Sequence, residues 1–316
     1  MNQPKQLFYK ENPMRSPDAV KSAISGAAVR LGGLILGAVA SVALFAGAAS
    51  AEPALWVVKG KDATIYLFGT VHLLKPDAKW LTPKVEKAFN EAQTLKLEIA
   101  NLDDQAAAQG AVMKFGLDLA HPLSSKLNEA DRSTLAAAEA QYGLPAANLE
   151  PLKPWLAGLT FSVLPMQKAG FDPKSGVELK LLALAHERKE TVAGFETIEQ
   201  QMGYFDGLPV DQQVSFLREA IDKGPKAASE LERVEAAWEK GDVETIGRYM
   251  NEDMKKDDPR LYDLLLTKRN ERFADQIVEM LKGKGVTFVA VGAAHLAGSD
   301  SVQSQLAKRG IQTERK

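Results

Sequence analysis

The chain has 316 residues, of which 45% are hydrophobic and 25% are charged, and its formal net charge is −2 at pH 7. This composition is typical of a globular protein, the length allows one large α/β domain with or without an insertion, and the small charge gives no sign of nucleic-acid binding. Because the sequence contains no cysteine, disulfides, thiol nucleophiles, thiolate zinc sites and a lipoprotein anchor are excluded.

Residues 1–51 are predicted to be a secretory signal peptide. Basic residues are spread through positions 1–30, residues 31–47 are apolar, and Ala49-Ser50-Ala51 forms a small-residue cleavage site. An uncleaved membrane anchor is the alternative, because a stretch of about 17 apolar residues is at the lower limit for a membrane span. We expect cleavage before Glu52, no further membrane segment, and a mature protein in the periplasm or outside the cell.

Two short strands open the mature sequence and lead to a histidine. Leu55–Lys59 and Ala63–Phe68 are rich in β-branched and aromatic residues, and Gly60-Lys61-Asp62 predicts the turn of a hairpin. Gly69-Thr70-Val71-His72 follows the second strand, and its glycine allows the chain to turn sharply. The pattern places the His72 imidazole beyond the carboxyl end of a strand, where ligands gather in α/β sheets.

A helix over residues 81–92 and a third strand follow. Thr82 suits the N-cap of the helix, and Pro83 suits its first position. The strand Thr94–Ile99 alternates, with Glu98 on the face opposite its leucines. Because an unpaired carboxylate is costly to bury, Glu98 is a metal ligand, a general base or half of a buried ion pair, unless it lies on the solvent face of an edge strand.

Residues 102–190 are predicted to form a helical cap that several prolines divide into short pieces. His121 stands in a loop signal and His186 in a charged helical segment, so we expect solvated or packing histidines there rather than ligands. Glu178 begins an apolar helix and is interpreted as a first-turn acid that the helix dipole stabilises.

A second carboxylate follows the next predicted strand. Thr191–Phe195 has the composition of a strand, and Glu196 stands at its carboxyl end. The other interpretation of Glu196 is that it caps the helix Ile198–Phe205, a role for which Thr197 is a rival.

Helices are predicted throughout residues 210–282, with breaks at polar stretches. Val210–Lys223 is amphipathic, whereas the alternating charges of Lys226–Lys240 indicate a solvated face. Arg269 and Asn270 lie in the middle of the last of these helices, either exposed or in contact with a nearby acid.

The first motif is repeated near the carboxyl terminus. A predicted strand, Thr287–Val291, runs into Gly292-Ala293-Ala294-His295, and a helix over Ser299–Lys308 and a strand over Ile311–Glu314 close the chain. Two such strands side by side would bring His72 and His295 together, and imidazole is the commonest neutral metal ligand.

The paired GTVHLL and VGAAHLAG segments resemble the TraB/GumN (TraB/PrgY/GumN) family, whose animal relatives are the Tiki metalloproteases. Similar segments spread over most of residues 55–315. They are KLEI at 96–99, LKPWLAGL at 152–159, GVELKLLALA at 176–185, GFETIEQQMGYFDGLP at 194–209, RN at 269–270 and GSDSVQSQLAKRGIQTER at 298–315.

The resemblance implies an α/β fold of the EreA/ChaN/Tiki-like type over residues 52–316. A mixed β-sheet would be flanked by helices, with residues 102–190 as a helical cap insertion. It also implies a metal-dependent peptidase with His72, Glu98 and His295 as metal ligands. Mn²⁺ or Co²⁺ is favoured, with Zn²⁺ or Fe²⁺ as alternatives, and a peptide or unfolded polypeptide is the expected substrate.

Glu196 and Arg269 complete the expected site, the first as the base and the second as a group that stabilises negative charge. The spacing does not decide which glutamate binds metal and which acts as base. Two other functions stay open: a metal-free hydrolase similar to the erythromycin esterases, and a non-catalytic protein that binds a peptide signal or assists polysaccharide export.

Overall fold

A six-stranded mixed sheet forms the centre of the computed structural model, which describes residues 52–316. The predicted signal peptide therefore lies outside the described residues. The strands are β1 (Leu55–Lys59), β2 (Asp62–Thr70), β3 (Thr94–Ile99), β4 (Thr191–Glu196), β5 (Lys284–Gly292) and β6 (Glu314–Arg315). Their order is β4-β3-β5-β2-β1-β6. β4, β3, β5 and β2 are parallel, while β1 runs antiparallel to both β2 and β6. The predicted α/β fold with a mixed sheet is confirmed.

Helices make up most of the remaining described chain. They are α1 (Pro83–Glu91), α2 (Gln105–Ala111), α3 (Glu129–Tyr142), α4 (Ala146–Leu149), α5 (Pro154–Lys168), α6 (Val177–Glu187), α7 (Ile198–Asp206), α8 (Val210–Glu239), α9 (Val243–Ile246), α10 (Asp253–Asp257), α11 (Pro259–Tyr262), α12 (Lys268–Leu281) and α13 (Val302–Lys308). Shorter π-helical turns cover Val112–Gly116, Gly247–Glu252 and Asp263–Thr267, and 3₁₀ turns cover Leu123–Lys126, Pro173–Ser175 and Ala293–Leu296. Within residues 52–316, no helix has the length and apolar character that a membrane span requires.

Helices cover both faces of the sheet. Successive side chains of a strand point to opposite faces, so neighbouring apolar residues of one strand pack into different clusters. On β5, Phe288 packs into one apolar cluster with α1, α6 and the carboxyl half of α8. Its neighbour Val289 packs into a second cluster with α12 and α13. The sheet is thus the middle layer of a three-layer arrangement.

A third apolar cluster joins α3, α5 and the amino half of α8, with Leu135, Phe161 and Leu217 among its members. It corresponds to much of the predicted cap. α6 also lies within residues 102–190, but its Leu181 belongs to the cluster that covers the sheet. α6 therefore belongs to the helical layer that covers one face of the sheet.

The carboxyl-terminal half differs from the predictions in several places. α8 is one continuous helix with Pro225 inside it, and its second half is not merely a solvated face, because Trp238 is buried. Packing of both halves outweighs the one backbone hydrogen bond that proline removes. α13 begins at Val302, because the Ser301 hydroxyl accepts a hydrogen bond from Ser304 N. The last strand is only Glu314–Arg315, since the amide of Ile311 caps α13 instead of pairing in the sheet.

Candidate functional site

The two Gly-x-x-His motifs leave adjacent parallel strands. β2 pairs with β5, and Thr70 lies opposite Gly292. Gly69, however, lies opposite Val291, so the two motifs are one residue out of register. The environments of the two histidines also differ: the side chain of His72 is 62% exposed, and that of His295 is 5% exposed.

Hydrogen bonds from two helices hold the backbone carbonyls of the first motif. The indole Nε1 of Trp238 in α8 donates a hydrogen bond of 2.7 Å to the Gly69 carbonyl. At the start of α6, Val177 N donates to the Val71 carbonyl at 3.1 Å. A Cβ on Gly176 would overlap the His72 carbonyl oxygen, so the close approach of these two segments requires glycine.

The second motif is fixed by asparagines. Nδ2 of Asn251, in the π-helical turn Gly247–Glu252, donates to the carbonyls of Ala294 at 2.9 Å and Ala297 at 2.8 Å. Asn270 Nδ2 donates to the Asp300 carbonyl at 2.8 Å, which turns the Asn270 Oδ1 toward His295. The 3₁₀ turn that carries His295 is therefore braced on both sides.

His72 is bonded to Glu178, a carboxylate that was not predicted to belong to the site. Its Nδ1 lies 2.6 Å from Glu178 Oε1, and the Thr70 hydroxyl donates to the same oxygen. The negative charge of Glu178 raises the pKa of His72 to about 9. With Nδ1 bonded to Glu178, Nε2 is the nitrogen left facing the site. The sequence signal was the Gly176-Val177-Glu178 run at the start of α6, which we interpreted only through the helix dipole.

His295 is held in one neutral tautomer. Its Nδ1 lies 2.5 Å from the Asn270 Oδ1, and because that oxygen can only accept, Nδ1 carries the proton. Nε2 is then an acceptor and receives a hydrogen bond of 3.1 Å from Arg269 Nη1. Burial lowers the pKa of His295 to about 4, so the ring is uncharged at neutral pH.

Glu98 is a buried acceptor between the two motifs. Its Oε1 receives a hydrogen bond of 2.7 Å from Gly292 N, and its Oε2 receives one of 3.1 Å from Gln201 Nε2 and another from Arg269 Nη2. Burial raises the pKa of Glu98, but His295, Arg269 and His72 outweigh it and hold this pKa well below its ordinary value. Of the interpretations left open, the buried ion pair is present and the solvent face is not.

Arg269 is the buried cation of the site. Its Nε donates to Glu196 Oε2 at 2.9 Å, its Nη2 lies 2.8 Å from the same oxygen, and its Nη1 donates to the Leu265 carbonyl at 3.1 Å. Contacts with Glu98 and His295 use its remaining donor capacity. The π-helical turn Asp263–Thr267 immediately precedes α12 and supplies the Leu265 carbonyl. π-helical turns are frequent at functional sites.

Glu196 binds the far side of the same guanidinium. The Tyr204 hydroxyl donates to its Oε1 at 2.8 Å, and Gln201 Nε2 donates to its Oε2 at 3.2 Å. Arg272 Nη2 adds a contact of 3.3 Å. Burial raises the pKa of Glu196, and the Arg269 hydrogen bonds more than reverse this, so the pKa is lowered. Glu196 does not cap α7, since Thr197 and Gln200 form the capping box.

Sequence reasoning named five site residues, and the structure brings all five together: His72, Glu98, Glu196, Arg269 and His295. It did not assign Thr70, Glu178, Gln201, Tyr204 or Arg272 to the site. His121 and His186, which were not expected to belong to the site, are exposed and lie 3.2 Å from Asp118 and 3.7 Å from Asp103.

A cleft of about 330 Å³ gives access to this cluster. Its polar lining is His72, Glu98, Glu178 and Gln201, and its apolar lining is Ile99, Leu102, Pro173, Gly176 and Leu179. Arg269, Glu196 and His295 are not part of the lining and lie behind Glu98. The cleft is therefore lined by one histidine and two carboxylates of the cluster, while the second histidine, His295, is not exposed to it.

The side chains around Gly292 are of types that bind divalent metal ions. A Cβ placed on Gly292 would lie 3.2 Å from Glu98 Oε1, 3.4 Å from His72 Nε2 and 3.7 Å from a ring carbon of His295. Each histidine is bonded through Nδ1 to an oxygen acceptor, which is the usual arrangement behind a metal-binding Nε2. Among residues 52–316, however, no three His, Asp or Glu side chains are grouped closely enough to hold an ion as they stand. Arg269 competes for two of the donors, Glu98 and His295.

The chain belongs to the TraB/PrgY/gumN family, whose model matches residues 54–315. It is also similar to an uncharacterized protein of Treponema pallidum (strain Nichols), with 21% identity over 282 residues that cover 82% of each chain. No solved structure gives a significant match.

Proposed function

We propose that this member of the TraB/PrgY/gumN family is a secreted, metal-dependent hydrolase that acts on peptides. The observation that carries the proposal is the convergence of Glu98 Oε1, His72 Nε2 and the His295 ring on the space beside Gly292. Two imidazoles and one carboxylate form a catalytic type of site that leaves a coordination position for water. A bound Mn²⁺ or Co²⁺ would polarise the scissile carbonyl and lower the pKa of that water.

The protein groups around the ligands have distinct tasks in this proposal. Glu98 stays ionised, because its pKa is held well below the ordinary value. Asn270 keeps the proton of His295 on Nδ1. Arg269 supplies a buried positive charge that can stabilise negative charge developing on the substrate. Glu196 was expected to be the base, but both of its oxygens accept hydrogen bonds from Arg269, so we assign it the task of holding that guanidinium.

The shape of the cleft supports an extended substrate. Ile99, Leu102 and Leu179 provide an apolar wall beside the polar groups, as small-molecule and peptide sites generally do. A cleft of about 330 Å³ is large enough for a few side chains of an unfolded segment and too small for a folded domain. The signal-like residues 1–51 support a periplasmic or extracellular substrate.

One observation favours a second candidate function, a metal-free hydrolase. Arg269 already pairs with Glu98 and contacts His295 Nε2, so two of the three proposed metal ligands have a partner without an added ion. In that case His72, with Glu178 behind it and with 62% of its side chain exposed to the cleft, would transfer the proton. Because the pKa of His72 is about 9, its ring is protonated at neutral pH and would act as a general acid.

Metal content separates the two candidates. The purified protein would be incubated with each divalent ion, freed of excess ion and analysed for bound metal. A His72→Ala/His295→Ala variant is the test, and a His121→Ala/His186→Ala variant is the matched control, because both control histidines are exposed and remote from the cluster. About one ion per chain in the wild type and control, and none in the test variant, is the expected result.

All three proteins would then be screened with a peptide library, with and without the same ion. Cleavage that requires both the ion and the two motif histidines supports the peptidase. Absence of metal from every protein rules out the metal mechanism. Hydrolysis that persists without metal but needs His72 would instead identify the second candidate.

A further inference from the structure

Glu178 is a buried carboxylate for which neither the fold nor the proposed metal ligands require a charge. It is 5% exposed and lies in the first turn of α6. Burying a carboxylate is costly unless donors satisfy it. Its donors are the Thr70 hydroxyl and the His72 Nδ1, which converge on the same oxygen, Oε1.

His72 depends on that single contact. In the described part of the chain, Glu178 is the side chain that bonds to its ring, while 62% of the His72 side chain is exposed. An exposed imidazole on a loop is free to turn about its side-chain bonds. His295 has the opposite situation, because burial, Asn270 and the Phe273 ring at 5.2 Å all restrict it.

The carboxylate is itself rigidly placed. Thr70 is the last residue of β2 and is buried, and Val177 N bonds to the Val71 carbonyl, so the start of α6 is tied to the strand end beside it. The overlap that a Cβ on Gly176 would make with the His72 carbonyl shows how closely the two backbones approach. The position of the Glu178 oxygens relative to His72 is therefore set by the fold.

We infer that Glu178 is a positioning residue that binds His72 through Nδ1 and thereby directs Nε2 to the space beside Gly292. The inference deepens the proposed function, on which it rests for the task of Nε2. In this inference one buried carboxylate fixes the orientation of the His72 ring, whereas packing fixes the orientation of the His295 ring. A hydrogen-bond acceptor at this position, rather than a negative charge alone, is what the geometry requires.

The experiment observes the His72 ring directly in the metal-free protein. Long-range ¹H–¹⁵N correlation spectra distinguish imidazoles protonated on Nδ1 from those protonated on Nε2, and a His72→Ala spectrum assigns the signals. Spectra would be recorded above the His72 pKa of about 9, where its ring is neutral. The variants are Glu178→Ala, which removes the acceptor, Glu178→Gln, which keeps an acceptor oxygen of the same reach, and Glu187→Ala on the exposed end of the same helix.

We expect Nδ1 protonation of His72 in the wild type, in the Gln variant and in the Glu187→Ala control. In the Glu178→Ala variant, Nε2 protonation should become substantial while the His295 signals stay unchanged. Affinity for Mn²⁺ should fall by about 10- to 100-fold in the Ala variant and by less in the Gln variant.

An unchanged His72 spectrum in a folded Ala variant would overturn the inference. So would a Gln variant that behaves like the Ala variant, because charge rather than a hydrogen bond would then position the ring. A wild-type protein that binds no metal would refute the proposed function, while the spectra would still decide the positioning.

Discussion

Replacing Gly292 by alanine should abolish the site and leave the fold intact. The backbone at Gly292 has φ −48° and ψ 137°, a conformation that alanine adopts without strain. The added methyl would stand 3.2 Å from Glu98 Oε1 and 3.4 Å from His72 Nε2. Metal–ligand bonds in such sites are about 2.0–2.2 Å long, so the methyl would fill the space that an ion shared by these atoms needs.

The expected effect on stability is small because two contributions oppose each other. A Gly→Ala substitution at a compatible position stabilises a protein by about 0.4–1 kcal/mol through the unfolded state. Crowding of the two neighbours by a few tenths of an ångström destabilises it, at most by the roughly 1–3 kcal/mol typical of overpacking. Because His72 can yield into the open cleft, we expect a free energy of unfolding within about 1 kcal/mol of the wild type.

Urea unfolding and metal binding would be measured on the same preparations. Gly110→Ala is the control, because no atom lies within 4 Å of its added Cβ, and a helix-interior Gly→Ala change should stabilise the protein by about 1 kcal/mol. The Gly292→Ala variant should lose metal affinity by at least about 100-fold. A variant that folds, binds metal and hydrolyses peptide as the wild type does would refute the placement of the site beside Gly292.

Three further substitutions test the packing around the site and in the cap. Gly176→Ala forces a methyl onto the His72 carbonyl and should reduce the free energy of unfolding in urea by about 1–3 kcal/mol; an unchanged value would contradict the close approach. Trp238→Phe leaves the carbonyl of the first motif glycine without its donor and should cost about 1–3 kcal/mol in the same assay. Hydrogen bonds from Arg218 hold the pKa of Asp131 below its ordinary value, so this pair stabilises the protein above about pH 4 and less as the pH falls further. Asp131→Asn should cost about 1 kcal/mol at pH 7, with a difference that shrinks in acid; a constant difference would argue against the ion pair.

Local patterns were enough to predict the elements that carry the motifs. The alternation in Thr94–Ile99 and the Thr82-Pro83 start of α1 are signals within a few residues, and both appear as predicted. Of the two motif glycines, Gly292 ends β5, whereas β2 continues past Gly69 to Thr70. The hairpin of β1 and β2 is equally local. These are the cases in which backbone preference and hydrophobic periodicity agree.

The side-chain contacts of the site could not be predicted from local patterns. Glu178 bonds to Thr70 across 108 positions, and Arg269 bonds to Glu98 across 171 positions. Spacing along the chain carries no information about such contacts. The repeated motif was also misleading in one respect, because equal motifs suggest equal histidines, whereas the His72 ring is exposed and the His295 ring is buried.

The π-helical turn before α12 affects the direction in which the Arg269 side chain points. The turn Asp263–Thr267 accommodates more residues per turn than the α-helical segments on either side of it. Each residue of an α-helix advances the direction of its side chain by about 100°. In an uninterrupted α-helix one additional residue would rotate every later side chain by about 100°, whereas the π-helical turn takes up that residue locally, so that Leu261 stays in the core and Arg269 contacts Glu98. Against a chain with a plain α-helix here, a sequence comparison would therefore need a gap of one residue within the turn to align the arginine.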